Sequence, residues 1–430
     1  MQVRKFVNGK IPFMIPPKAF VRKHLKFNFT VGMLDGGLYG VGIGFGSFIT
    51  ILPLFISRMT DSALLIGLIP AIHGAGWQLP QLLTAGYTSR AKRIKPLVLW
   101  ATIHERVPYL GLAAVAFFLA RLPIPLALTL TFLLIIWQSL GAGFAANPWQ
   151  TMVTKVMPPE LHGTFFGTQS AAFNGLAGLS AIAAGFMLER LPSPLDFTFC
   201  FLATVIFFVL SYIILAQIRE QESQRPETEE HPAAFWGRSW DILKRDRNFN
   251  AFLLVRSISQ FAAMGISFYL VYAVKVFGMS ESVAGIMTAV LLIAQVAFGP
   301  LMGRLGDRWS HRGVMMLGGL GAAASSLLAW YANSVEWFYP VFFLAAIAIV
   351  AVWTVPLALT VKFAQEHERP IYIGLSNTVS APATILAPII GGWIADAAGY
   401  DAMFLISTVC GLLMAGALIF LVKDPEKTVS

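Results

Sequence analysis

Two charges sit deep in stretches that are otherwise apolar. Asp35 lies nine residues beyond Lys26, and Arg256 nine residues beyond Arg247. At 1.5 Å of rise per helical residue, each stands about 13 Å along its stretch. An acid surrounded by hydrocarbon is costly and is by default a functional residue, here a carrier of a proton. The competing reading of Asp35 is an interhelical hydrogen bond to the glycine-rich backbone around it. Arg256 could hold an anionic solute, or the two charges could form a buried structural pair. Further polar groups interrupt apolar sequence at His73, His104-Glu105-Arg106, Gln138, Asn147, Gln260 and Tyr269. Glu105, Arg106 and His73 are either a minor proton relay or local partners of neighbouring helices.

The elements that carry these residues must be membrane helices. The chain has 430 residues, 57% of them hydrophobic and 12% charged, with a mean hydropathy of +0.69. Soluble domains run near 45–50% apolar and about 25% charged. Stretches of the roughly 20 apolar residues needed to span a bilayer fall at about 27–56, 63–88, 96–120, 124–154, 163–188 and 196–218, then at about 248–277, 283–303, 313–333, 337–362, 370–395 and 402–422. That predicts an all-α membrane protein of twelve transmembrane helices.

The loops between these stretches alternate in charge. Among 31 Lys and Arg, only Arg58, Arg121, Arg190 and Lys275 fall in one set of connections, while Arg106 and Arg256 fall inside helices. The rest gather in the other set and at the ends. This positive-inside bias predicts a cell (plasma or inner) membrane protein with both termini cytoplasmic. It also accounts for the net charge of +9 without a nucleic-acid partner. No cleavable signal peptide is expected in the basic first 26 residues. Cys200 and Cys410 lie in apolar sequence and suit small buried hydrophobes better than a disulfide or a metal site.

The organisation expected is a basic N-terminal arm (1–26), a six-helix bundle (27–218), a cytoplasmic linker with an amphipathic segment at Phe235–Lys244 (219–247), a second six-helix bundle (248–423) and a short cytoplasmic tail (424–430). The halves echo each other. Asn28-Phe29 answers Asn248-Phe249, and Lys155, Gly167, Gly185 and Glu189 answer Lys362, Gly374, Gly392 and Asp396 at a constant offset of 207. Duplication of a six-helix unit is the sequence mark of a transporter with a site at the midplane between its repeats.

The loop Gly303-Arg304-Leu305-Gly306-Asp307-Arg308-Trp309-Ser310-His311-Arg312 resembles the G-x-L-x-D-R-x-x-x-R motif of the major facilitator superfamily (MFS). Ala387-Pro388-Ile389-Ile390-Gly391-Gly392 is similar to its G-P-x-x-G-G bend, placed here in the eleventh helix rather than in the fifth as in drug antiporters. The resemblance implies a conformational latch at Gly303, Asp307, Arg308 and Arg312, with Asp307 docking at the start of the fifth helix near Gly163 and Thr164. An acid placed there offsets the helix dipole and accepts from open N–H groups. In the matching loop of the first half Ser89 replaces the acid, so one latch is expected rather than two. The resemblance also implies that helices one, four, seven and ten line a central cavity. That would bring Asp35, Arg256, Gln138, Asn147, Gln260 and Tyr269 to the cavity and leave Glu105 and Arg106 peripheral. Trp149 and Trp353 lie close to the basic loops and read as interfacial.

No nucleotide-binding loop, zinc spacing or nucleophile elbow occurs. No cofactor and no enzymatic activity are expected. The expected function is a monomeric secondary transporter that moves a small amphipathic or anionic organic solute by alternating access, coupled to protons through Asp35. Membrane lipids are its other partners. A lipid scramblase or a transport-inactive receptor on the same scaffold is the alternative, since fold does not fix function.

Overall fold

The computed structural model describes residues 17–158, 161–222, 232–364 and 369–424, and no strand occurs among them. Residues 1–16 of the expected arm, 223–231 of the expected linker and 425–430 of the tail lie outside the described residues. Among the described residues, ten helical segments are long and apolar enough to cross a membrane. The longest, Ile371–Phe420, turns at Gly399, where a φ of 86° needs a residue without a Cβ, so it makes two spans. The first helix, Pro17–Phe45, completes a set of twelve.

In chain order, span 1 is Pro17–Phe45, followed by the short buried helix Ile51–Ser57. Span 2 is Ala63–Arg90, and span 3 is Lys95–Arg106 continued by Pro108–Phe118. Spans 4, 5 and 6 are Ile124–Val156, His162–Arg190 and Leu195–Leu215. The helix Pro232–Arg245 leads into span 7, Arg247–Ala262 continued by Tyr269–Phe277. Trp240 and Lys244 on that connecting helix are in cation–π contact at 5.6 Å. Spans 8 and 9 are Glu281–Arg308 and His311–Tyr331. Span 10 is Phe338–Ile349 and Val355–Phe363, joined by a π-helical turn at Val350–Thr354. Spans 11 and 12 share Arg369–Phe420.

Span 1 differs from its expected extent at both ends. It begins at Pro17, so part of the basic arm is helical, and it stops at Phe45 instead of running to residue 56. The stop has a local cause. The Ser47 hydroxyl accepts from the backbone N–H groups of Ile49 and Thr50, offering the chain an alternative to helical bonding. Span 7 breaks at the equivalent level, through a 3-10 turn at Met264–Ser267.

Each half closes on its own ends by the same device. The Asn28 side chain donates to the Arg219 carbonyl and accepts from the Arg219 N–H, at 2.9 and 3.0 Å. Asn248 makes the same pair of bonds with Lys423, at 2.9 and 2.7 Å. The following acid then caps a third helix: Glu220 accepts from the N–H groups of Ile94 and Lys95 at the start of span 3, and Asp424 accepts from Ser310 at the start of span 9. The first and last described spans therefore end on one face, called here the terminal face.

The halves meet where span 5 packs on span 8 and span 2 on span 11. Far from the terminal face the backbones nearly touch. A Cβ at Gly185 would lie 2.5 Å from the Glu281 carbonyl oxygen, and one at Gly392 would lie 2.6 Å from that of Ala63. Small residues permit this close approach. On span 8 a Cβ at Gly285 would likewise lie 2.4 Å from the Ala181 carbonyl oxygen, whereas eighteen residues away on the same faces Gly167 of span 5 and Gly303 of span 8 meet nothing within 4 Å. The seam is shut at one end and splayed at the terminal end.

Candidate functional site

The shut end is held by charges that cross between halves. Arg58 pairs with Glu281 at 2.6 Å, and Lys275 with Asp61 at 2.9 Å. Asp396, near the end of span 11, accepts from the N–H groups of Ala63 and Leu64 at 2.6 and 2.9 Å and from the Ser62 hydroxyl at 2.7 Å. It thereby caps the open N-terminus of span 2, where a carboxylate is favoured by both the free donors and the helix dipole. The Thr50 and Thr288 hydroxyls also bond across the seam.

This is the chemistry expected of Asp307, found at the opposite face. Asp307 itself is 74% exposed and its carboxylate lies 3.5 Å from His311 on the next turn. It is not docked on span 5 in this state. Arg308 and Gly303 are exposed, and Arg312 donates to the Val422 carbonyl at 2.7 Å. Sequence reasoning missed Asp396 as a latch, although its constant offset from Glu189 had marked the position.

Two cavities matter to the site. The first, about 250 Å³, lies within the first half and is lined by Asp35, Tyr39, Trp77, Glu105, Arg106 and Trp149 among others. Asp35 is buried on the face of span 1 that turns toward spans 3 and 6. Ser211 of span 6 donates to its carboxylate at 2.6 Å and accepts from Arg106 of span 3 at 3.0 Å. The guanidinium stands 3.9 Å from Asp35 and within 6.0 Å of the Tyr39, Phe208 and Tyr212 rings. The Tyr39 hydroxyl donates to Glu105. The expected peripheral pair is thus brought together with Asp35, and Arg106, not Arg256, is the base that faces it.

Arg256 is buried in the second half, donating to Ser376 at 2.8 Å, with the Thr360 hydroxyl on the same serine. The Asp35–Arg256 pair is not formed. Their directions around the helix axes point into different halves.

The second cavity, about 320 Å³, lies between the halves and draws on the turn after span 1 and on spans 2, 7, 8, 10 and 11. Gln260 and His73 line it, as do Phe48, Met264, Gln295 and Trp353. Trp353, expected at the membrane interface, faces this cavity from the π-helical turn of span 10, a kind of distortion that recurs at functional sites.

Other expected site residues lie elsewhere. Tyr269 is fully buried inside the second half, its hydroxyl bonded to Ser325 and Ser326 at 2.9 and 2.8 Å. Gln138 is buried in span 4 beside Ser139, its amide nitrogen lacking a partner. Asn147 is half-buried one turn before Thr151, which donates to its carbonyl.

The model of the Major Facilitator Superfamily matches residues 97–280 and 252–430. An uncharacterised MFS-type transporter of Schizosaccharomyces pombe is 30% identical over 148 residues, 34% of this chain and 33% of that protein. The methyl viologen resistance protein SmvA of Salmonella typhimurium is 28% identical over 116 residues, 27% of this chain and 23% of the relative. These matches span about a third and a quarter of the two relatives. Among solved structures, a D-xylose–proton symporter superposes with a TM-score of 0.73 at 18% identity, covering 94% of this chain and 99% of that one. The nucleoside transporter NupG gives 0.72 at 13% identity, covering 92% and 100%.

Proposed function

Because the chain belongs to the major facilitator superfamily, we propose that it is a proton-coupled secondary transporter whose proton resides on the Asp35–Glu105 pair. The family assignment makes it a multi-pass membrane protein and supports secondary transport of a small molecule; the coupling ion and its residues are our reading. One observation carries it: two buried carboxylates, Asp35 and Glu105, line one cavity with a single guanidinium, Arg106. In surroundings that dry, one cation offsets one carboxylate, and the other is neutralised by binding a proton. Releasing that proton leaves a surplus negative charge whose cost falls when the cavity is open to water. Proton occupancy and the open state are therefore coupled.

In the same reading the basic face is cytoplasmic, so this conformation opens inward, with Asp396, Arg58 and Lys275 closing the outer side. Asp307 docks on span 5 when the inner side shuts. The solute sits between the halves, and its direction of travel is set by the gradients.

The test is flux through purified protein in liposomes, using a solute found by a thermal-shift screen of labelled metabolites, acids and drugs at two pH values. A pH gradient should drive accumulation, and Asp35→Asn should abolish the accumulation while solute exchange persists. Flux indifferent both to the gradient and to Asp35→Asn rules out the coupling. Gradient-independent movement of fluorescent lipid would identify a scramblase instead.

A further inference from the structure

We infer that the cavity between the halves takes an uncharged, planar aromatic solute bearing a carboxamide-like group. As a transported solute this rests on the carrier reading above; as a ligand class it rests on the cavity alone. Among the described residues no Asp, Glu, Lys or Arg lines the cavity. The chain's mid-depth charges are engaged elsewhere, Asp35 with Arg106 and Ser211, and Arg256 with Ser376. A charged solute would give up its hydration with no counter-charge to receive it, a penalty of several kcal/mol by general solvation arguments. An anionic solute, one of the expectations from sequence, is therefore disfavoured.

The shape of the lining selects what a neutral solute must be. Phe48 stacks on His73 with ring centroids 4.0 Å apart, and the Trp353 ring is 46% exposed where span 10 meets the cavity. Flat π-surfaces favour an aromatic guest by offset stacking, and the Met264 thioether adapts to a ring edge. Polar recognition falls to two amides, one imidazole and the Ser267 hydroxyl, the Thr384 hydroxyl being spent on the Ser380 carbonyl at 3.1 Å. Gln260, 6% exposed, spends one N–H on Ser259 at 3.3 Å; its carbonyl and second N–H remain for a ligand, as does the Gln295 amide across the cavity. The Nδ1 of His73 is buried without a partner. Adjacent donor and acceptor groups on a primary amide or lactam match this set. The volume lies at the small end of the roughly 300–1,000 Å³ range of small-molecule sites, so one ring system fits.

Three probes of nearly equal size separate the charge states: nicotinamide, nicotinate and 1-methylnicotinamide. Equilibrium binding of each to the full chain in nanodiscs at pH 7.5 should show saturable binding of nicotinamide, with nicotinate and 1-methylnicotinamide at least tenfold weaker. Gln260→Leu should weaken nicotinamide at least tenfold. Gln295→Glu supplies a positive readout: a carboxylate placed in the cavity should turn the preference toward the 1-methylnicotinamide cation. The inference is overturned if either charged probe binds the unmodified chain as tightly as nicotinamide, if none of the three saturates, or if the Gln295→Glu preference is unchanged in a normally melting protein. Nicotinamide that binds but never crosses a liposome membrane would refute the carrier reading and leave the ligand class standing. Proton-driven flux of a charged solute without nicotinamide binding would do the reverse.

Discussion

The first and second halves are built alike at their ends and differ in what they bury at mid-depth. Both tie their first helix to a residue three or four positions past their last with a two-bond asparagine clamp, and both interrupt that first helix at the same level. Yet the first half encloses two acids and a base around a cavity, while the second holds one arginine among hydroxyls. The lesson is that end-caps and clamps fix the backbone of a repeat, because an unsatisfied terminal N–H or carbonyl is costly wherever it occurs. Side chains halfway along a helix are free to specialise.

That contrast can be broken most severely at the two arginines. Arg106→Leu should leave Asp35 and Glu105 facing each other uncompensated and cost about 3–5 kcal/mol in a detergent melt. Arg256→Leu removes a lone buried charge and leaves no partner ion behind, so its cost should be clearly smaller. Equal losses would mean the halves do not differ as described. Adding Asp35→Asn to Arg106→Leu should restore part of the stability.

At the shut face, Asp396→Asn trades charge-assisted bonds to Ala63 and Leu64 for weaker ones, loosening the closed seam by about 1–2 kcal/mol. Spin labels at Leu122 and Ala332, one in each half on that face, should then report a larger separated population by pulsed dipolar spectroscopy. An unchanged distance distribution would show that Asp396 holds nothing shut. Asn28→Ala and Asn248→Ala should each cost about 1–2 kcal/mol, and by similar amounts, since each strands one N–H and one carbonyl. A large inequality would undermine the repeat. The smallest effect belongs to Tyr269→Phe, about 1 kcal/mol or less, because Ser325 and Ser326 retain bonds to Ala322 and Ser407.

Apolar length alone was enough to read the spans, since a bilayer demands it of every crossing helix. Where one residue could redirect the chain, length was silent: the Ser47 hydroxyl ends span 1 eleven residues before the apolar run does. Counting from a loop assigns Asp35 and Arg256 a depth, but azimuth decides partners, and a rise of 1.5 Å per residue carries no azimuth. Glu105 and Arg106 were legible as charges and illegible as neighbours of Asp35, because the contact of Arg106 runs through Ser211 of a helix more than a hundred residues away and Glu105 bonds Tyr39 one turn beyond Asp35. The latch shows a third limit. On the carrier reading a sequence specifies both ends of a rocking seam, whereas in the structure Asp396 is engaged and Asp307 is not.

On the carrier reading proposed above, the glycines of that seam make it a two-ended hinge with a built-in stop at each end. Gly178 rests 3.4 Å from Ala289 by its Cβ position, between the touching and the open glycines, and on that reading lies near the pivot. A methyl group added at Gly185 is a wedge on the engaged side, tipping the balance toward opening there. The same methyl at Gly167 meets no resistance now, and is felt only when the helices swing together at that end.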